Sequence, residues 1–198
     1  MFRKENYVIV IGKKSILHSG IMEVIEYECL LKCKKTIFAD DLQQLAHRQP
    51  ACSNGWYSLA VLFISHDDFF PLWFSLFLKL NAEANGNVLI FADGPELMSE
   101  KRQSLLKRLT TLDFILNPAM PEAYVIHILT MKIDSPVRSH CRCILSNREI
   151  KIIEGYVNGV SGSKQAVFFN ISLKTLYHHR KNCANKLGIR NLRELLKL

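Results

Sequence analysis

The sequence predicts two units of different class: an α/β unit doubly wound around a five-stranded parallel sheet, then an all-α unit of four helices. Three observations lead there. Apolar β-type runs alternate with helical stretches over residues 6–132, and capped helix starts follow one another from Ser146 to the end. The charge is also split: residues 138–198 hold 12 Lys+Arg against 3 Asp+Glu, net +9, whereas residues 1–137 hold 14 against 15, net −1.

In the first unit, Tyr7 to Ile11 reads as a strand and Ile16 to Glu26 as a helix. Thr36 to Ala39 is a second strand, with a helix from Asp40 to His47, and Leu59 to Ile64 is a third, followed by an aromatic helix. Val88 to Phe91 precedes a helix from Pro95 to Leu109, and Asp113 to Leu116 precedes the last, from Glu122 to Met131. Runs such as Val8-Ile9-Val10-Ile11 and Ala60-Val61-Leu62-Phe63-Ile64 suit strands covered on both faces. In the aromatic helix, Phe70, Trp73, Phe74 and Phe77 share one stripe at i, i+3, i+4 spacing and Phe69 falls outside it; the stripe predicts core packing, with a partner or ligand surface as the alternative.

Residues 133–144, with Pro136 and polar neighbours, read as a linker, which leaves 1–132 and 145–198 as the two domains. Ser146-Asn147-Arg148-Glu149 is a capping box. Ile153, Tyr156 and Val157 carry that helix to a stop at Gly159; a short helix runs from about Ser161 to Phe169; Asn170-Ile171 make the turn, and Ser172 caps a longer helix over about 173–187, stopped by Gly188. Unrolled at roughly 100° per residue, Leu176, Cys183 and Leu187 gather on one side and Lys174, His178, Lys181 and Asn185 on the other, with Tyr177 on the flank and Arg180 toward the apolar side. Asn191-Leu192-Arg193-Glu194 opens a fourth helix that carries Leu195 and Leu196. Two short helices, a tight turn and a longer amphipathic helix make a helix-turn-helix, with the fourth helix as its brace. A basic face on the third helix fits a polyanion, and binding through it should weaken steeply with salt as counterions are released.

Composition excludes several classes. Hydrophobic residues at 48% and charged residues at 22% are ordinary for a soluble globular chain. The most apolar run, Phe69 to Leu80, is too short to span a bilayer, and the N-terminus lacks an export signal, so no membrane association and a cytoplasmic location are expected. Six cysteines, at 29, 33, 52, 141, 143 and 183, then read as free thiols. His140-Cys141-Arg142-Cys143 lacks a second Cys/His pair at zinc spacing. Gly12-Lys13-Lys14-Ser15 lacks the upstream glycine of a phosphate-binding loop, and no G-x-S-x-G elbow occurs. The chain is expected not to be an enzyme and to need no cofactor or metal. His178 and His179 take opposite exposures on their helix, His178 outward and His179 beside the core.

Leu145-Ser146-x-Arg148-Glu149, Gly159-Val160-Ser161, Ile171-Ser172-x-Lys174-Thr175-Leu176, His179-Arg180 and Lys186-Leu187-Gly188-Ile189-Arg190-Asn191 keep spacings that resemble the LuxR/FixJ-type helix-turn-helix of transcriptional regulators. The departure is Gln165, where that family usually places an apolar residue, with Phe168-Phe169 crowding the end of the second helix. The resemblance implies a sequence-specific DNA-binding transcription regulator that reads bases in the major groove of double-stranded DNA from Tyr177, His178 and Lys181. Asn185 lies on the same outer face; Lys174 and Thr175, in the first turn, would hold phosphates or base edges near the helix N-terminus, and Lys164, Arg190 and Asn191 are placed for backbone phosphates. It also implies dimerisation through the fourth helix, with Leu192, Leu195 and Leu196.

The βα alternation ahead of that segment resembles the receiver domain of response regulators, in order and length, in Ser15 to Ile21 as first loop and helix, and in Leu116-Asn117-Pro118 after the fifth strand. Receivers hold Mg²⁺ on an acidic pair and phosphorylate an Asp, with a Thr/Ser and a Lys completing the site. Here those roles fall on Gly12 and Lys13, on Phe63 to Ser65, on Ala92 and on Asn117. All four are vacated, although Asp67 and Asp68 lie close by, so a pseudo-receiver that takes no phosphate is expected, serving dimerisation or partner binding. The alternatives are an auxiliary regulator heterodimerising with a true response regulator or another LuxR-type protein, and an effector-gated regulator with a pocket in the pseudo-receiver.

Overall fold

The computed structural model describes residues 7–12, 16–40, 57–83, 87–109, 115–134 and 144–198. Five strands, β1 (Tyr7–Ile11), β2 (Lys35–Ala39), β3 (Tyr57–Ile64), β4 (Val88–Ala92) and β5 (Ile115–Leu116), form one sheet in the order β2-β1-β3-β4-β5. Every pairing is parallel, from Ile9 opposite Ile37 and Ala60 to Ile90 opposite Ile115. Parallel strands need crossovers, and among the described residues α1 (Ile16–Leu31), α2 (Phe70–Glu83) and α3 (Glu100–Lys107) supply them, while α4 (Glu122–Asp134) follows the last strand. The expected helix over Asp40 to His47 lies outside the described residues, as do Cys52 and the His140 to Cys143 run.

Side-chain alternation along the strands divides the core in two. Ile9, Ile11, Ala60, Leu62, Ile64 and Ile90 meet α2 and α3, while Val8, Val10, Leu59, Val61, Phe63, Leu89 and Phe91 meet Ile25 and Cys29 of α1 and Val125, Ile128, Leu129 and Ile133 of α4. This is the doubly wound arrangement. On α2 the stripe Phe70, Trp73, Phe74 and Phe77 is buried and Phe69 is exposed. Each such buried ring contributes on the order of 1.5–3 kcal/mol from area alone.

Several bounds differ from the sequence reading. α1 runs five residues past Glu26 and ends where Cys33 takes a positive φ of 53°. The helix expected over Pro95 to Leu109 is a 3₁₀ turn (Pro95–Leu97) followed by α3, because the Ser99 side chain accepts from the Arg102 N–H and restarts the chain as a new helix. α4 continues to Asp134, so the linker expected at 133–144 has its first two residues in a helix.

The C-terminal unit contains α5 (Asn147–Val157), α6 (Gly162–Phe168), α7 (Leu173–Leu187) and a terminal 3₁₀ helix (Leu192–Lys197), where an α-helix was expected. It shares the core on the α2 side of the sheet: Leu145, Ile150, Ile153, Val157, Leu187, Leu192 and Leu195 belong to the same cluster as the α2 aromatics. Leu192 and Leu195, expected on a pairing surface, are buried in that cluster, and Leu196 alone of the three is exposed. The Arg102 guanidinium, stacked 4.7 Å from the Phe70 ring centre, donates from Nε to the Leu198 carbonyl at 2.6 Å and from Nη1 to the Leu97 carbonyl at 2.7 Å. Arg108 lies against Gly188, where a Cβ would collide with its guanidinium.

Where β1 and β3 part company, at their C-terminal ends, such sheets usually open a ligand crevice. Among the described residues, packing occupies part of it here. A Cβ on Gly12, whose φ is +148°, would lie 2.6 Å from the Phe63 Cβ. The Phe63 ring stacks 4.1 Å from that of the buried His18, whose Nε2 pairs with Asp93 Oδ1 at 2.6 Å. Ala92 is wholly buried, and Asp68 Oδ2 accepts from the Ser65 N–H at 2.8 Å, closing its own loop. Lys13 lies outside the described residues.

Removing the Arg102 head group deletes charge-assisted bonds between the two units. Arg102→Ala should lower the unfolding free energy by about 1.5–3 kcal/mol, measured as a fall in the denaturant midpoint at unchanged slope.

Candidate nucleic-acid interface

α7 is delimited by its own residues. Ser172 caps it, its Oγ accepting from the Thr175 N–H at 3.0 Å and lying 2.8 Å from Thr175 Oγ1, and Gly188 ends it at φ 72°. Asn170, at φ 51°, makes the turn from α6. Leu176, Cys183, Ala184 and Leu187 are buried, while Lys174, Thr175, Tyr177, His178, Lys181 and Asn185 are exposed. His179 and Arg180 lie half-buried between the two faces.

Under α7, Glu149 of α5 joins two functions. It completes the capping box, accepting from the Ser146 N–H at 2.7 Å, and its buried carboxylate accepts from Lys186 Nζ of α7 at 2.7 Å. Burial alone would raise its pKa; the Lys186 ammonium and the Ser146 hydrogen bonds outweigh that and hold it below the ordinary carboxylate value. Burial, reinforced by the Glu149 charge, pushes the Cys183 thiol up to about 12, so it packs as an inert core residue.

Tyr177, Lys181, Arg190 and Asn191 come together around one cleft of about 490 Å³ between α7 and the terminal 3₁₀ helix. Tyr156, Arg180 and Arg193 also line it, and sequence reasoning missed Tyr156 and Arg193. The signal for Arg193 was available: it follows Arg190 by three residues in a capped turn. Asn191 uses its Oδ1 to cap the Arg193 N–H at 3.0 Å, and the Arg190 N–H donates to Glu194 at 3.2 Å. Lys164 is exposed in the first turn of α6, and a Cβ on neighbouring Gly162 would lie 3.8 Å from the Tyr177 hydroxyl. Lys174, His178 and Asn185 lie outside the cleft lining, along the outer face of the same helix. The arrangement presents cations for phosphates beside amide, imidazole and phenol groups able to donate to or accept from base edges.

Residues 143–198 match the family described as bacterial regulatory proteins, luxR family. The C-terminal unit is a luxR-family helix-turn-helix domain. No curated protein sequence matches the chain. Among solved structures, the chain is similar to full-length FixJ from B. japonicum, at 15% identity over 98% of this chain and 96% of that one, with a TM-score of 0.43. RcsB from Salmonella enterica serovar Typhimurium bound to promoter rprA is similar at 18% identity over 98% of each chain, with a TM-score of 0.40. The response regulator StyR is similar at 13% identity over 98% and 97%, with a TM-score of 0.42. At these identities and scores the N-terminal fold rests on the chain's own strand order. Among the described residues no helix is long and apolar enough to cross a membrane.

In the luxR-family domain the depressed carboxyl of Glu149 sets a pH dependence. Its stabilisation is complete above the unfolded-state value of about 4.3 and is lost as pH falls through the lower folded-state value. Glu149→Gln should therefore destabilise the protein at neutral pH. In unfolding titrations the gap from wild type should close in strong acid.

Proposed function

We propose that the protein is a sequence-specific DNA-binding transcription regulator whose α7 lies in the major groove. One observation carries the reading: within a luxR-family domain, Lys174, His178, Lys181 and Asn185 form an open face directly opposite a buried apolar one. Tyr177, His178, Lys181 and Asn185 face base edges in this reading. Lys174 and Thr175 hold the strand at the start of α7, where the helix dipole favours phosphate, and Lys164, Arg190 and Asn191 hold the backbone on either side.

The N-terminal unit, to about residue 132, serves pairing or partner binding rather than phosphate chemistry. The Gly12–Phe63–His18 packing and Ala92 support the second half of that statement, since they stand where a metal, an acceptor carboxylate and a hydroxyl would be needed. The first half is supported by exposed Tyr27, Leu30 and Leu31 on α1 and Tyr124 and Met131 on α4, on helices tied together at their ends by the 2.7 Å Lys32–Asp134 ion pair. Apolar groups clustered on a surface mark contact sites. A second copy and a related regulator both meet that description.

Selection of duplexes from a randomised pool by the full-length protein, followed by mobility shifts, tests the reading. Retention of no preferred duplex would overturn it. On the selected duplex, Lys181→Ala should cost about 1–3 kcal/mol if it reads a base; equal affinity for mutant and wild type removes Lys181 from that role. Incubation with acetyl phosphate and Mg²⁺ should leave the intact mass unchanged, whereas a phosphoryl group found on Asp67 or Asp68 would restore a phosphorylation switch.

A further inference from the structure

Gln165 occupies a place in α6 that burial would suit to an apolar side chain, for it is only 3% exposed. The neighbouring helix accommodates it through Gly155, where a Cβ would come within 2.5 Å of the Gln165 Nε2. The amide nitrogen lies 3.5 Å from the Ile152 carbonyl of α5, a long contact, and the amide oxygen accepts from Arg180 Nη2 of α7 at 3.0 Å. One side chain thus touches all three helices of the motif.

Arg180 depends on that oxygen. Its guanidinium lies 4.8 Å from the ring centre of Tyr156 and 5.7 Å from that of Tyr177, and its Nε is buried with no acceptor among the described residues. Gln165 thus gives the head group a directional acceptor, and the ring faces supply the rest of the attraction. Replacing the amide by an apolar group leaves a buried donor unmet, and the flexible arginine relieves this by turning to solvent. Tyr156 and Tyr177 then lose the cation between them, and Tyr177 stands on the edge of the face assigned to the bases.

We propose that Gln165 is a positioning residue for DNA reading: by holding Arg180 between Tyr156 and Tyr177 it fixes Tyr177 and places a positive charge in the wall of the cleft bearing Lys181, Arg190 and Arg193. The inference rests on the DNA-binding reading above and adds a residue that never touches DNA.

The test uses the full chain, the duplex that wild type selects from a randomised pool, and a mixed-sequence duplex as reference. Gln165→Leu should keep a cooperative thermal transition yet lower the ratio of selected to mixed-sequence affinity about five- to tenfold. Gln165→Glu, which keeps an acceptor for Arg180, should restore the ratio to within about twofold of wild type. Tyr177→Ala should cause a similar loss, and adding it to Gln165→Leu should cause little more, as for two residues acting through one contact. If Gln165→Leu does not fold, Arg180→Met breaks the same link from the other end and should show the same drop. A ratio unchanged in the folded variant, or additive losses in the double variant, overturns the inference while the DNA-binding reading stands. Wild type that prefers no duplex overturns both.

Discussion

The structure depends on the aromatic stripe of α2 being shared. Phe70, Trp73, Phe74 and Phe77 cover one face of the sheet, and the same cluster takes in Ile150, Ile153, Leu192 and Leu195 from the C-terminal helices. A helix packed only on a sheet would turn a polar side outward. Here α2 is apolar along most of its length because it has neighbours on two sides. Apolar burial has no direction, so the orientation of the second unit draws on directional and close contacts at its edge, the Arg102 hydrogen bond to the Leu198 carbonyl and the close approach of Arg108 to Gly188.

The same exchange of polar chemistry for packing recurs at the ends of β1 and β3. Phe63 lies near the end of β3, and its Cβ approaches Gly12 too closely for any side chain there. His18 and Asp93 satisfy one another beneath it. Among the described residues, the tilted Phe63–His18 ring pair and the His18–Asp93 contact occupy the place where β1 and β3 diverge.

Much of this was legible in the residues. Strand runs of β-branched and aliphatic residues placed the sheet, and Ser146, Ser161, Ser172, Gly159 and Gly188 marked the ends of the C-terminal helices because caps are local chemistry. The outer face of α7 followed from helical periodicity alone. What periodicity missed was set by tertiary contact or by competition within one turn. Ser99 broke an otherwise continuous helical pattern, and Leu192–Lys197 tightened to 3₁₀ geometry while packing on α2, α5 and α7. The docking of the two units joins residues far apart in the chain, which no local pattern encodes. Gln165 stood out as a departure, but its role required knowing that Arg180 lay across from it.

Burial of Leu192 and Leu195 has a geometric corollary. Leu192 and Leu195 seat the terminal 3₁₀ helix, which also packs on α7, in the cluster that covers the sheet, so the outer face of α7 takes its direction from the sheet-bearing half. In any symmetric pair, the separation and tilt of the two α7 helices would then be inherited from the way the two sheets face each other. A duplex held as proposed would then select among those pairings, like a gauge set at the far end of a lever.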